Sequence, residues 1–524
     1  MQSPTQAFQS LYGKIRREWK AAFSGAFILG LLIHMPVLLS DVPNHDGLDS
    51  MYFDQNMITS GRWFLTVACG ISSYYTVPWV IGLLGILYLS CAAVALCELL
   101  EVRKSWAAAI CGGLLTAFPA LASTFAYVFT LDGYMLALLL AVSAVLVTKK
   151  RRLGFLPGAA CLAFSMGIYQ GYLSFAMILS VFAILMLYVP KADGEEKGES
   201  RGKAAVLLRY PAMGILGVVL YYGILQILLK WQGKELADYQ GIGEMTTGAA
   251  SSNGLLASIK GMYQDFFHFT FRGNVLFQNF FSAAACILLA VLAVLALFFL
   301  IRNRKGWKNP AFFAIMVLAV VVLPLLTNIV LLISPSVTYH LLMRYQWILY
   351  AIGAVALVSG CPEIPSSVYG WMEWAVFLGA SVLIFCYCLT DNIAYSNLQR
   401  RYEKTYAYCI RLLDRIEQTP GYYQGIPIAM VGVVGDKPYP VTDITLPVTS
   451  NMIGMCGDIL LYTGKNYEIF IRNYLGATLN ILPPEAMAEM YYSDEYIAMD
   501  SFPGENSIRV INGILYVKTE NADR

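Results

Sequence analysis

Four aspartates, Asp41, Asp46, Asp49 and Asp54, lie in the stretch DVPNHDGLDSMYFDQNMITSGRW. It directly follows an apolar run, Ala21 to Ser40, long enough to cross a bilayer. Ionisable groups at a membrane face are costly and usually serve a function. Two chemistries suit them: deprotonating a hydroxyl nucleophile, and holding a hard divalent cation such as magnesium, manganese or calcium through oxygen ligands. Asp46 and Asp49 are three apart and would share one face of a short helix. Solvated acids capping a surface helix are the plain alternative. Asp132, in YVFTLDGYMLALLL, is a second acidic position at the mouth of a later apolar run. An N-cap role accounts for it nearly as well, but together the two acidic loops could hold a metal or an acceptor between them.

Other polar groups fall at similar depth. Tyr169, Gln170 and Tyr172 in IYQGY offer rings and an amide that stack on and bond to sugars, although tyrosine is also an ordinary residue of the membrane interface. Arg344, in TYHLLMRYQW, carries a fixed fork of donors suited to a phosphate, with an interfacial anchor as the alternative role. Arg62, Lys260 and Arg272 are the other cations near these segments. His34 reads as a hydrogen-bonded helix residue, because no His or Cys accompanies it.

The elements that must position these groups are membrane helices. Hydrophobic residues make up 58% of the chain and charged ones 13%, with a mean hydropathy of +0.58; a soluble domain carries about a quarter charged residues. A net charge of +2 supplies no basic face for nucleic acid. The eleven cysteines show no CxxC spacing and read as small buried hydrophobes, with Cys409 and Cys456 free to pair in the tail. Ala21 to Ser40 lacks an A-x-A cleavage pattern and is followed by further spans, so it reads as a span and not as a signal peptide.

Eleven apolar runs reach roughly membrane length: Ala21 to Ser40, Pro78 to Leu100, Trp106 to Ser123, Gly133 to Thr148, Leu153 to Tyr169, Tyr172 to Val189, Ala204 to Leu229, Phe281 to Ile301, Ala311 to Ile333, Gln346 to Gly360 and Trp371 to Leu389. Lys14, Arg16, Arg17 and Lys20 hold residues 1–20 in the cytoplasm by the positive-inside rule. Four of the five inner connections that follow carry Lys or Arg; Cys361 to Gly370 carries neither. The acidic loop 41–77 and the tail 391–524 then lie outside.

The expected fold is therefore an α-helical polytopic membrane protein of about 11 transmembrane helices, with a small extracytoplasmic α/β domain at the C-terminus. Gly241, Gly243, Gly248, Ser251, Ser252 and Asn253 suggest a lid or a plain connector, followed by a surface helix at Leu255 to Phe269. In the tail, a charged amphipathic helix precedes a buried strand at Ile426 to Val434. Asn512-Gly513 marks a hairpin within Ile508 to Lys518. VGVVGDKPYP has neither the GxGxxG nor the Walker spacing and reads as strand and turn.

The order of an acid just after span one, a surface helix and a Gly-x-Trp ending, here Asp46 through Met57 to Gly61, Arg62 and Trp63, resembles the GT-C class of lipid-linked sugar transferases. Aminoarabinose transferases of that class have a similar spacing. With TLDGY at Thr130 to Tyr134, IYQGY at Ile168 to Tyr172, Arg344 and the helix from Tyr395 to Ile416, nearly the whole chain resembles the bacterial Gtr-type glucosyltransferase family. Where the class has an Asp-Glu pair, this chain has Asp46-Gly47, leaving Asp49 as the second acid to consider. The resemblance implies transfer of a hexose, most simply glucose, from a polyprenyl phosphate donor to a cell-envelope glycan at the outer face of the bacterial cytoplasmic membrane. Asp46 would be the general base. Arg344, or else Arg272 or Lys260, would hold the donor phosphate. Asp41, Asp49 and Asp132 would be supporting acids or metal ligands, and Tyr169, Gln170 and Tyr172 sugar contacts. A divalent cation, magnesium or manganese, is the one cofactor considered.

Two other classes compete. A transporter or flippase of lipid-linked glycans also uses many spans, but commonly places ionisable groups at the midplane and shows internal repeats; here the charges gather at the outer mouths and no repeat is visible. A scaffold in an envelope-assembly complex would account for the tail and not for the acidic loop.

Overall fold

In a bilayer every backbone polar group must be satisfied within the segment, so each apolar run closes on itself as a helix. The computed structural model describes residues 3–189, 200–237, 255–334, 337–430, 442–458 and 460–519. A short amphipathic helix, α1 (Pro4–Lys14), leads into the bundle. There follow α2 (Arg17–Leu39), α3 (Leu65–Gly70), α4 (Pro78–Leu99), α5 (Ser105–Ala117), α6 (Pro119–Phe125), α7 (Leu131–Lys150), α8 (Phe155–Ile168), α9 (Leu173–Tyr188) and α10 (Ser200–Gln232). After residues 238–254, on which the expected lid or plain connector falls and which lie outside the described residues, come α11 (Leu255–Arg272), α12 (Phe280–Asn303), α13 (Pro310–Thr327), α14 (Ile329–Ile333), α15 (Ile348–Ser359) and α16 (Ser366–Glu417).

Among the described residues nine helices are long and apolar enough to cross a membrane, or ten if the bent pair α5 and α6 is one span. This is a multi-pass membrane protein. The expected count of eleven differs for two local reasons. The run Trp106 to Ser123 breaks by 53° where Phe118 takes an extended conformation before Pro119, as the steric demand of a following proline requires. The run Leu153 to Tyr169 yields only the 14 residues of α8; these rise about 21 Å, short of the hydrocarbon thickness of about 30 Å.

Small residues set the closest contact. A Cβ added at Gly25 would lie 2.6 Å from the Ala109 carbonyl oxygen, and one at Gly112 would lie 2.5 Å from that of Ala22. The backbones of α2 and α5 therefore touch, as small residues allow in membrane bundles. This contact fixes α2, whose end launches the acidic loop.

At the opposite end of α2, Glu98 of α4 is 7% exposed and gathers four donors: Arg16 at 3.1 Å, Trp19 at 3.0 Å, Arg103 at 3.0 Å and Lys150 at 2.6 Å. One carboxylate thus ties the start of α2 to the ends of α4 and α7. The connection that lacks Lys and Arg, Cys361 to Gly370, meets cations from its neighbours: Arg304 reaches Glu363, and Lys104 reaches Tyr369 and, just beyond, Glu373. Glu98→Ala should lower the thermal midpoint in detergent by an amount equivalent to about 1–3 kcal/mol, toward the low end because the cations are half exposed and can rehydrate. Glu98→Gln should lose less. An unchanged midpoint in the alanine variant would show that the cluster carries no stability.

The boundary drawn at Asp391 falls inside an unbroken helix: α16 runs 52 residues, from the end of the bundle that holds Glu98 into the tail. The tail sheet has the order β2-β1-β4-β3, with β1 (Pro427–Met430) parallel to β2 (Asn480–Ile481) and to β4 (Ile514–Val517), and β3 (Ile508–Ile511) antiparallel to β4. The β3–β4 turn is the expected Asn512-Gly513 pair, with φ of 50° and 79°, the left-handed conformation that two-residue hairpins need. VGVVGDKPYP lies outside the described residues. Tyr408, Leu412 and Ile416 of α16 pack with Ile428, Leu515 and Val517, and one residue of the acidic loop, Leu48, is buried in the same cluster.

Candidate active site

After α2 the chain turns sharply. Buried Asn44 accepts the Gly47 N–H at 2.7 Å through its side chain, a local side-chain-to-backbone bond that closes the turn. Residues Gly47–Asp49 form one tight helical turn, and Ser50 Oγ donates to the Asp46 carbonyl at 3.0 Å. The tail holds this turn from above. Leu48 inserts into the tail core, Lys465 pairs with Asp49 at 3.0 Å, and Gly454, at φ of 82°, comes so close that an added Cβ would lie 3.2 Å from Asn44 Nδ2.

The result is a fixed backbone that presents the Asp46 carboxylate with its side chain 56% exposed. His45 Nε2 lies 3.5 Å from it, and the imidazole meets Tyr127 and Tyr462 edge-on, with ring centroids 6.4 and 5.3 Å away. Burial pushes the His45 pKa down, and nearby Arg401 adds to this against the opposing pull of Asp46. The neighbour of Asp46 is thus an imidazole whose charged form is disfavoured by burial. Arg401, fully buried on α16, donates to the Gly454 carbonyl at 2.5 Å and to the Tyr462 hydroxyl at 3.1 Å.

The other acids have different surroundings. Asp41 is exposed just past α2, and Asp54 accepts the Asn56 N–H at 3.0 Å. Asp132 is fully buried, accepting from Ser72 Oγ at 2.5 Å and from the Gly133 N–H at 2.9 Å; it closes the loop after α3 onto α7. Among the described residues no group of three or more His, Cys, Asp or Glu could hold a metal ion. Asp46 stands open on its turn, Asp49 pairs with Lys465 and Asp132 is sealed against Ser72 and Gly133, so the three do not fit a shared divalent cation.

The three residues expected at a sugar are packed. Tyr169 and Tyr172 are 5% and 3% exposed. Tyr169 stacks on Tyr134 at 4.5 Å and meets Tyr172 at 5.4 Å, and Tyr172 meets Tyr345 at 6.4 Å. Gln170 donates to the Ser60 carbonyl at 3.1 Å and to the Tyr221 hydroxyl at 3.0 Å. Arg62 donates to the Tyr134 hydroxyl at 3.1 Å. The rings thus form a continuous chain from the Gly-x-Trp segment to the neighbour of Arg344.

Arg344 is 8% exposed and closes its fork on Asp265 of α11, with contacts of 2.6 and 2.8 Å. Its Nε donates to the Tyr339 carbonyl at 3.2 Å, and its guanidinium lies 3.9, 4.5 and 5.5 Å from the rings of Tyr339, Phe269 and Trp347. Asn328 Nδ2 adds a third contact to Asp265, at 3.1 Å. Lys260 and Arg272 are exposed on α11; Arg272, seven residues beyond Asp265, shares its helix face.

Sequence reasoning missed His45, Arg401, Asp265 and Asn328. His45 had a signal, its place beside Asp46. Asp265 had a weaker one, as the single acid of the apolar-aromatic helix LLASIKGMYQDFFHFTFR.

Bundle and loop define a multi-pass membrane protein with an open carboxylate, beside a half-buried histidine, at one end of its helices. The chain belongs to the glucosyl transferase GtrII family, whose model matches residues 35–359, well over half its length. It is a glycosyltransferase, and the family makes it a glucosyltransferase. No curated protein and no solved structure matches it. The matched region holds Asp46, Asp132, Asp265 and Arg344, and ends before α16 and the tail that pins the acidic loop.

Proposed function

We propose that the enzyme takes glucose from a polyprenyl phosphate at the outer face of a bacterial cytoplasmic membrane and adds it to a cell-envelope glycan, with a GT-C-like bundle as the catalytic module. Residues 1–20 are cytoplasmic in this reading, and the acidic loop and tail are extracytoplasmic. The observation that carries it is the open carboxylate of Asp46 on a pinned turn, while Asp132 is sealed and Asp49 is paired with Lys465.

Asp46 removes the proton from an acceptor hydroxyl as its oxygen attacks the anomeric carbon. The bond from that carbon to the phosphate oxygen breaks, and polyprenyl phosphate leaves with the electron pair. In this reading Arg344 stabilises the charge that grows on the phosphate. Sugar nucleotides are cytoplasmic, so an outward-facing transferase needs a donor that a lipid has carried across. Membranes supplied with radiolabelled polyprenyl-phosphate glucose should incorporate label into glycan. Movement of the intact lipid across the membrane without transfer would overturn the reading.

The orientation has its own test. Cysteines introduced at exposed Asp54 and Asn506 should react with an impermeant thiol reagent in intact cells lacking an outer membrane, above the background of native thiols. A cysteine at exposed Lys305, among the basic residues at the other end, should react only after lysis. The reverse pattern would invert the topology.

A further inference from the structure

Arg344 has five donor N–H groups, and three of them are engaged by two partners: the Asp265 carboxylate and the Tyr339 carbonyl. Tyr339, Phe269 and Trp347 surround the guanidinium. Asp265 therefore holds the fork-shaped edge by which an arginine takes a two-oxygen anion. Asn328 Nδ2 points at the same carboxylate, so the seat offers three N–H groups, two from Arg344 and one from Asn328.

We infer that Asp265 occupies the seat of the donor phosphate, and that the donor enters by taking Arg344 from Asp265. This rests on the proposed phosphate-linked donor. A phosphate monoester or diester presents oxygens that can accept the same three N–H groups, with at least as much charge as a carboxylate. The exchange keeps the buried guanidinium paired throughout, which avoids the large cost of an uncompensated buried charge. The departing carboxylate has water within reach, since the Asp265 side chain is already 25% exposed.

The helix that carries Asp265 is held in place at its end as well. The Asn451 side chain donates to the Gly273 carbonyl at 2.7 Å, and the Asn274 side chain donates to the Pro447 carbonyl at 2.7 Å. These bonds fasten the C-terminal end of α11 to the tail, and Met262, Tyr263 and Thr270 keep further bonds to Asn328, Val321 and Trp347, so release of Asp265 removes a charged tie while the helix stays docked. Asp265 is thus a positioning residue for Arg344: it holds the guanidinium in the plane that the phosphate needs, and it competes with that phosphate.

The test uses the full-length enzyme in detergent and a short water-soluble prenyl phosphate as competitive inhibitor against the donor. Asp265→Asn keeps the shape and removes the charge, so the inhibition constant and the apparent donor KM should both fall about three- to tenfold, with acceptor KM unchanged. Asp265→Glu, which keeps the charge, should stay near wild type and controls for folding. Equal inhibition constants in wild type and Asp265→Asn, or a weaker constant in the variant, would overturn the inference. Failure of the prenyl phosphate to inhibit even wild type would instead count against the phosphate-linked donor itself.

Discussion

Asp46→Asn is expected to abolish glucosyl transfer, with turnover falling by about a hundred- to ten-thousandfold, the contribution of a positioned general base. Expression, thermal midpoint and donor binding should stay near wild type. The substitution keeps the size of the side chain, which lies largely in solvent, and the turn beneath it is held by Asn44, Ser50 and Leu48 and not by the carboxylate. Asp49→Asn removes only a solvent-exposed pair with Lys465, worth about 0–1 kcal/mol, and should do far less. Asp41→Asn should likewise leave most of the rate. Rate constants for the three variants at saturating donor and acceptor decide the matter. A dead Asp41→Asn beside a fully active Asp46→Asn would move the base to Asp41.

The second large effect is expected at Arg344. Arg344→Ala should reduce donor use by roughly ten- to a hundredfold, the equivalent of about 1.5–3 kcal/mol for a charge-assisted contact. Arg344→Lys should fall between, because it keeps the charge and loses the two-pronged geometry. The alanine variant also strands Asp265, so its thermal midpoint must be read beside its kinetics. Titrating donor at fixed acceptor, and then the reverse, separates the roles. A defect seen only in the acceptor titration would remove Arg344 from the phosphate and make Arg272 or Lys260 the next residue to vary.

What could be read from the residues alone follows from what the bilayer demands. Continuous apolar runs had to be helices, and each of them is helical in the structure. Their breaks were harder to see: Pro119 interrupts Trp106 to Ser123, and Asn328 divides Ala311 to Ile333 into α13 and α14. The change in composition at Asp391 marks where the surroundings turn polar, and it does not mark the end of a helix, because helical periodicity continues across it. The exposure of Asp46 agrees with its place after the first span. The pairing of Arg344 with Asp265 was not legible, since 79 positions separate them and only tertiary packing joins them. Tyr169 and Tyr172 show the converse: residue types that suit a sugar are here used in packing, which no local pattern could distinguish.

The unbroken α16 makes the tail and the membrane span one mechanical part. Its 52 residues extend about 78 Å, so the tail has no pivot of its own at the water boundary. A helix whose apolar stretch exceeds the local bilayer thickness adjusts by tilting, and here any such tilt is carried outward by the same rod. A change of a few degrees moves its far end by several ångströms. Arg401 lies on that rod, next to the turn that presents Asp46, and Leu48 ties the turn to the domain the rod supports. The orientation of that rod and the geometry around Asp46 are therefore joined through one continuous helix and the Leu48 contact.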